Sequence, residues 1–185
     1  MFDDKRSKKI IFVAHCVLNQ NSKLDKCAHY PGAIKEVVEL FLKEDIGMVQ
    51  MSCPELLFLG LNRQSPADRQ LSVQDEDTRI GKLMSEDNAL EICKFLAVAH
   101  AYQMEEYVNS EFEVLGIIGI NGSPTCGVET NWRDGQEAGG KGAYINELSK
   151  LLEQHELDIP IRGIKAYNPE EAVSICEKLI RDSKK

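Results

Sequence analysis

Three cysteines stand where three apolar runs end. Residues 9–15 lead into Cys16, residues 46–52 into Cys53, and residues 114–120, after a turn, into Cys126. If these runs are strands of one parallel sheet, the cysteines meet at its carboxyl edge, where open α/β sheets bind ligands. Three soft sulfur donors at that edge suit a metal or an iron–sulfur cluster with one position left free. Cys53 is followed by Pro54, which lacks an N–H, and Cys126 by Gly127, which allows a tight bend. Any one of these cysteines alone reads as a buried thiol filling a strand end. Three together, two of them in turn motifs, favour a site. Cys93 and Cys176 fall on inward helix faces and read as core. Cys27 stays open, and a zinc site on Cys16, Cys27 and His29 is a weaker alternative because the spacing is not that of a zinc finger.

The turns carry other chemistry. Glu55 lies two residues after Cys53, and Ser123 three before Cys126. A carboxyl group beside a buried, negatively charged centre suits proton transfer, and a serine hydroxyl can relay a proton or hold a substrate heteroatom. Without the cysteines, a solvated loop carboxylate and a turn-capping serine would be the simpler readings. Residues 135–142 nearly match a phosphate-binding loop, but Gly142 stands where Ser or Thr would hold magnesium, and the preceding apolar run ends too early. A flexible helix entry whose free N–H groups face a substrate or anion is the better expectation. The four histidines form no catalytic set. His100 reads as a packed side chain, and Trp132 as either a lid or a surface anchor.

The elements that must place these groups alternate between strand and helix. Apolar runs at 9–15, 46–51, 112–120 and 159–166 read as strands. Helical spacing appears at 32–43, 88–109, 142–155 and 169–182, the second with Leu90, Cys93, Leu96, Ala97, His100, Ala101 and Met104 on one face. Parallel strands with right-handed helical crossovers follow, giving an α/β, Rossmann-like fold with a mainly parallel sheet. Residues 62–87 are polar and without clear period, and read as a functional loop or lid.

The 185 residues suit one domain over 1–185. A net charge of −8 argues against nucleic acid and membrane surfaces as partners, since both attract basic patches. No apolar run approaches a membrane span, and the basic start followed by an apolar run lacks a signal-peptide cleavage site. A reducing cytoplasm is the expected location, with thiols free to act as ligands. The oligomeric state is not legible.

Cys16-Val17-Leu18, Cys53-Pro54-Glu55-Leu56, Gly60-Leu61, Ser123-Pro124-Thr125-Cys126-Gly127 and Gly140-Lys141-Gly142-Ala143 occur in the order and context of the thiouracil desulfidase family, which the chain resembles over most of residues 10–165. The resemblance implies a 4Fe–4S cluster held by Cys16, Cys53 and Cys126, with a fourth iron open to a thiocarbonyl sulfur. It also implies Glu55 and Ser123 as the proton-handling catalytic pair. The chain reads as a divergent branch. Asn19 replaces the glycine of the family's opening motif and is the expected substrate contact, Ser22 replaces a frequent second cysteine, and residues 62–66 replace a Pro-Arg element. The expected activity is removal of sulfur from a small thiolated molecule, thiouracil-like in type. Sulfur transfer to an acceptor, or a non-catalytic cluster- or zinc-binding sensor, are the alternatives.

Overall fold

The computed structural model describes residues 2–66 and 71–183. Four parallel strands form its sheet: β1 (Lys9–Ala14), β2 (Gly47–Met51), β3 (Glu113–Ile120) and β6 (Ile161–Ile164), in the order β2-β1-β3-β6. This is the Rossmann-like, mainly parallel α/β architecture that the alternation of runs predicts. Two further strands, β4 (Thr130–Arg133) and β5 (Gln136–Gly139), make a separate antiparallel hairpin. The helices are α1 (His15–Leu18), α2 (Lys35–Lys43), α3 (Pro54–Leu59), α4 (Val73–Leu83), α5 (Asp87–Asn109), α6 (Ala143–Gln154) and α7 (Pro169–Ser183).

Both faces of the sheet are apolar, as parallel sheets require. Along β1, Phe12 faces one layer while Ile11 and Val13 face the other; along β3, Ile117 and Ile118 divide in the same way. The Phe12 face packs against α4, α5 and α6, and the opposite face against α1, α2 and α7. Cys93 and Cys176 are fully buried in these two layers, as their helical positions predict. No described helix is long and apolar enough to cross a membrane.

The chain runs from β1 outward to β2, then returns past β1 to β3 and on to β6. The order therefore reverses between β1 and β3, and the carboxyl edge at that switch point is the natural crevice of the fold.

Three expectations need correction. The helix predicted from residue 32 begins at Lys35, because 31–34 are taken up by a bend in which the Ile34 N–H donates to Val17 O at 2.9 Å. Residues 62–87 are not one long loop. Residues 67–70 lie outside the described set, but α4 occupies half of the remainder, opened by Ser72, whose Oγ accepts the Asp75 N–H at 3.1 Å. Residues 135–142 are not one flexible helix entry: Gln136–Gly139 is β5, reached by a hairpin turn in which Asp134 and Gly135 take positive φ, 55° and 81°.

Burial pushes the Cys93 and Cys176 thiols up to about 12, so both should resist alkylation in the native protein and react only on unfolding. Peptide mass spectrometry after iodoacetamide treatment, with and without urea, checks this.

Candidate metal centre

Each cysteine reaches the switch-point crevice by a different local device. Cys16 lies in the single turn of α1, two residues beyond the end of β1. Gln20 secures that turn, its Nε2 donating to Cys16 O at 2.6 Å and its Oε1 accepting the His29 N–H at 3.1 Å. Cys53 is the N-cap of α3: its Sγ accepts the Leu56 N–H at 3.5 Å, and Pro54 fills the first helical position. The preceding residue is fixed from below. The Ser52 N–H donates to His100 Nε2 at 3.3 Å, so His100 carries its proton on Nδ1 and donates to Tyr144 Oη at 2.8 Å; the phenol faces Met51 Sδ at 3.5 Å. His100 is thus a packed histidine, as expected, but one that ties α5 and α6 to the end of β2.

Cys126 follows β3 on a loop whose N–H groups are held by two side chains and whose carbonyls are held by the start of α6. Asn121 Oδ1 accepts the N–H groups of Val128, Glu129 and Thr130 at 3.3, 3.1 and 3.4 Å. Ser123 Oγ accepts those of Thr125 and Cys126 at 3.2 and 3.0 Å. The entry of α6 closes the loop from outside. The Gly142, Ala143 and Tyr144 N–H groups donate to the carbonyls of Gly127, Pro124 and Thr125 at 3.0, 3.0 and 3.1 Å. Those N–H groups are therefore committed to the Cys126 loop and do not face a substrate or anion. The glycines are required by closeness: a Cβ on Gly127 would lie 2.2 Å from Thr130 O, and one on Gly142 2.5 Å from Thr125 O.

Cys16, Cys53, Cys126, Glu55 and Ser123 all line one cavity of 370 Å³, a size suited to a small ligand. Burial raises each of the three thiols, Cys53 to about 12 and Cys126 well above its ordinary value. For Cys126, the charges of Cys53, Cys16 and Glu55 add to the rise, which places all four groups within electrostatic reach. Cys27 and Trp132 also line the cavity, with Trp132 pinned by its Nε1–H to Thr78 Oγ1 at 2.9 Å. Asn19 does not line it. Its Oδ1 accepts the Asn21 N–H at 3.2 Å and caps the next turn.

Two side chains not singled out by sequence complete the site. Arg63 is 3% exposed. Its Nε donates to Glu55 Oε2 at 3.2 Å, its Nη1 to Gly60 O and Leu61 O at 2.9 and 3.0 Å, and its Nη2 to Ser22 O at 2.8 Å. The same Nη2 stands 3.7 Å from Cys53 Sγ. Arg63 and Gln64 both take left-handed backbone, φ 54° and 55°, a costly conformation for such residues that directs this side chain inward. Asp77, on α4, lines the cavity without a hydrogen-bond partner among the described residues. Burial and the negative charge of Glu55 push it up to about 6. The Ser72–Asp75 cap was the sequence signal for α4, but nothing local marks Arg63 as buried.

Among the described residues, no three His, Cys, Asp or Glu side chains are grouped so as to hold a metal ion. A tetrahedral zinc site needs every sulfur about 2.3 Å from one point. The alternative of a zinc ion on Cys16, Cys27 and His29 therefore does not fit. A cubane binds each cysteine at a different iron, so its ligands surround a wider group. Three free thiols around one cavity, with N–H groups directed at Cys53 Sγ, fit that donor set.

These features define a Rossmann-like α/β protein with a three-thiol cavity at its topological switch point. No family model matches the chain. The chain belongs to the family of the uncharacterized protein MJ0003 of Methanocaldococcus jannaschii, to which it is 31% identical over 182 residues, covering 95% of this chain and 99% of that protein. Among solved structures it is similar to the 4Fe–4S-dependent thiouracil desulfidase TudS, with 23% identity, 90% of this chain and 97% of that one covered, and a TM-score of 0.41.

Arg63→Ala should lower stability by about 3–5 kcal/mol, because it strands a buried carboxylate and three carbonyls. Arg63→Lys should recover only part of this, since an ammonium cannot reach all of those acceptors. Urea denaturation of the reduced protein measures both. Asp77 gives the opposite sign. Its folded value of about 6 exceeds the ordinary 3.8, so its contribution to stability is complete below 3.8 and lost as pH rises through about 6. Asp77→Asn should therefore stabilise the protein by about 1–2 kcal/mol at pH 7, after allowance for its partial exposure, and by almost nothing near pH 3.5. Denaturation curves at the two pH values separate these outcomes.

Proposed function

We propose that the chain holds a 4Fe–4S cluster on Cys16, Cys53 and Cys126 and removes sulfur from a small thiocarbonyl compound, releasing the oxo product and hydrogen sulfide. The observation that carries this reading is the lining of a single cavity by those three cysteines together with Glu55 and Ser123. The sequence motifs shared with thiouracil desulfidases support it. When bound, the cluster would supply a soft Lewis-acidic position for a thione sulfur.

The protein's own groups have separable tasks. Glu55, oriented by Arg63, accepts a proton from the water that attacks the thiocarbonyl carbon. Ser123 Oγ already accepts two backbone N–H groups, and its own hydrogen has no acceptor among the described residues. That hydrogen is available to a substrate heteroatom on the cavity side. Asp77 is partly protonated near neutral pH and can return a proton to the departing sulfur. Thiocarbonyl plus water gives carbonyl plus hydrogen sulfide, with no net electron transfer. Trp132 supplies a fixed aromatic wall, so the cavity suits a flat, heteroaromatic substrate.

After anaerobic reconstitution, iron and acid-labile sulfide should be present in equal amounts, and zinc should not replace them. Cys16→Ala, Cys53→Ala and Cys126→Ala should each lose most of the iron, whereas Cys93→Ala should retain it. Sulfide release from a panel of thiolated bases should accompany the intact cluster and fall by about 10²-fold or more in Glu55→Gln. A folded, fully loaded protein that releases no sulfide from any of them would remove the desulfidase assignment, and sulfur recovered on an acceptor would replace it with sulfur transfer.

A further inference from the structure

The longest helix, α5, is apolar on two faces. Its inner face, including Cys93, Leu96, Ala97, Ala101 and Met104, is buried against the sheet layer. On its outer face Phe95, Val98 and Tyr102 are 71%, 55% and 61% exposed, with exposed Ala99 between them. Positions 95, 98, 99 and 102 have the i, i+3, i+4, i+7 spacing of a buried stripe. A helix apolar on opposite sides has two faces able to pack, and within one chain only the inner face of α5 is covered.

We infer that the outer face of α5 packs against the same face of a second copy of this chain, the two helices running antiparallel about a two-fold axis between Val98 and Ala99. Three features favour this occupant. The stripe is self-complementary about its midpoint. The axis sets Val98 against Ala99 of the second copy at the crossing, where small side chains let helices approach, and Phe95 against Tyr102 of the second copy on either side. The charge pattern agrees. Residues 95–104 contain no Asp, Glu, Lys or Arg, although 28% of the chain is charged and its net charge is −8. This is where two acidic copies meet with least repulsion, and Lys94 comes opposite Gln103, one turn from Glu106, of the second copy. The area also suffices. Leu57 of α3, the helix packed beside α5, and Leu61 in the turn beyond α3 are 61% and 59% exposed. Together these side chains offer roughly 500 Å² per copy, about 1,000 Å² across a two-fold contact, where specific interfaces begin.

This inference is independent of the cluster and of the activity. Sedimentation velocity of the reduced 185-residue chain over roughly 1–100 µM should show a monomer–dimer equilibrium. Val98→Glu should give a monomer at every concentration, with circular dichroism and melting temperature close to the parent's, separating lost association from lost folding. Ala99→Cys should crosslink to a dimer on mild oxidation, while Leu42→Cys, exposed on the opposite layer, should not. A parent chain that stays monomeric to 100 µM overturns the inference, including the case in which a different protein covers the stripe. A Val98→Glu variant that still dimerises overturns it as well, because the contact then lies elsewhere.

Discussion

The site depends on one buried guanidinium. Arg63 spreads its donors over groups from three parts of the chain: Ser22 after β1, Glu55 and Cys53 at the start of α3, and Gly60 and Leu61 beyond its end. A charge so deeply buried is tolerable only when its donors are paired, and here the planar fork meets a carboxylate and three carbonyls. Its own carbonyl accepts Arg79 Nη2 at 2.8 Å, and Arg79 in turn pairs with Glu76 at 2.6 Å. Glu76 also accepts the Ser65 hydroxyl. The network thus reaches from the loop after β1 to α4, and fixes two of the three cysteine-bearing segments to each other. It also balances charge, for without it the cavity would gather three thiols and two carboxyl groups with no buried cation among them.

The third segment is held by different physics. The Cys126 loop uses an Asn, a Ser and the first N–H groups of α6, and it needs glycine at 127 and 142 because the backbones approach too closely for a Cβ. No ion pair enters that arrangement. One side of the cavity is therefore sensitive to charge and the other to steric change. The two sides meet at Cys126, which packs against the hydrophobic clusters of both sheet faces.

The sequence made the sheet, its direction and the three cysteines legible for one reason. Each cysteine follows a short apolar run, and a parallel sheet sends all such ends to one edge. Cys16 and Cys53 shifted into the first turns of helices without leaving that edge. The β4–β5 hairpin carried its signal in Asp134-Gly135, but its strands are too short and polar to show a period. α4 was hidden because its face is made of Asp, Glu, Arg and Gln, with Ile80 its only fully buried apolar side chain. Arg63 could not be read at all. It sits in a polar stretch, and its burial comes from a carbonyl 41 residues away and from a left-handed backbone that sequence does not announce. Asn19 illustrates the converse, since its place beside Cys16 suggested the cavity while its side chain closes a local turn.

Glu55 and Asp77 are two carboxyl groups on one cavity in unlike surroundings, and that difference bears on what the cavity is for. Glu55 has Arg63 at hydrogen-bond distance. Asp77 has no hydrogen-bond partner among the described residues, feels the charge of Glu55, and is raised to about 6 chiefly by burial. Folding gains nothing from Asp77 at neutral pH; an amide of the same shape would avoid the cost of burying its charge. Asp77 is thus a carboxyl group kept at a cost, on the same cavity as three thiols and a carboxylate held by a guanidinium. On the desulfidase reading proposed above, Glu55 takes the proton and Asp77 returns it, whereas a role limited to holding an inorganic centre calls on neither.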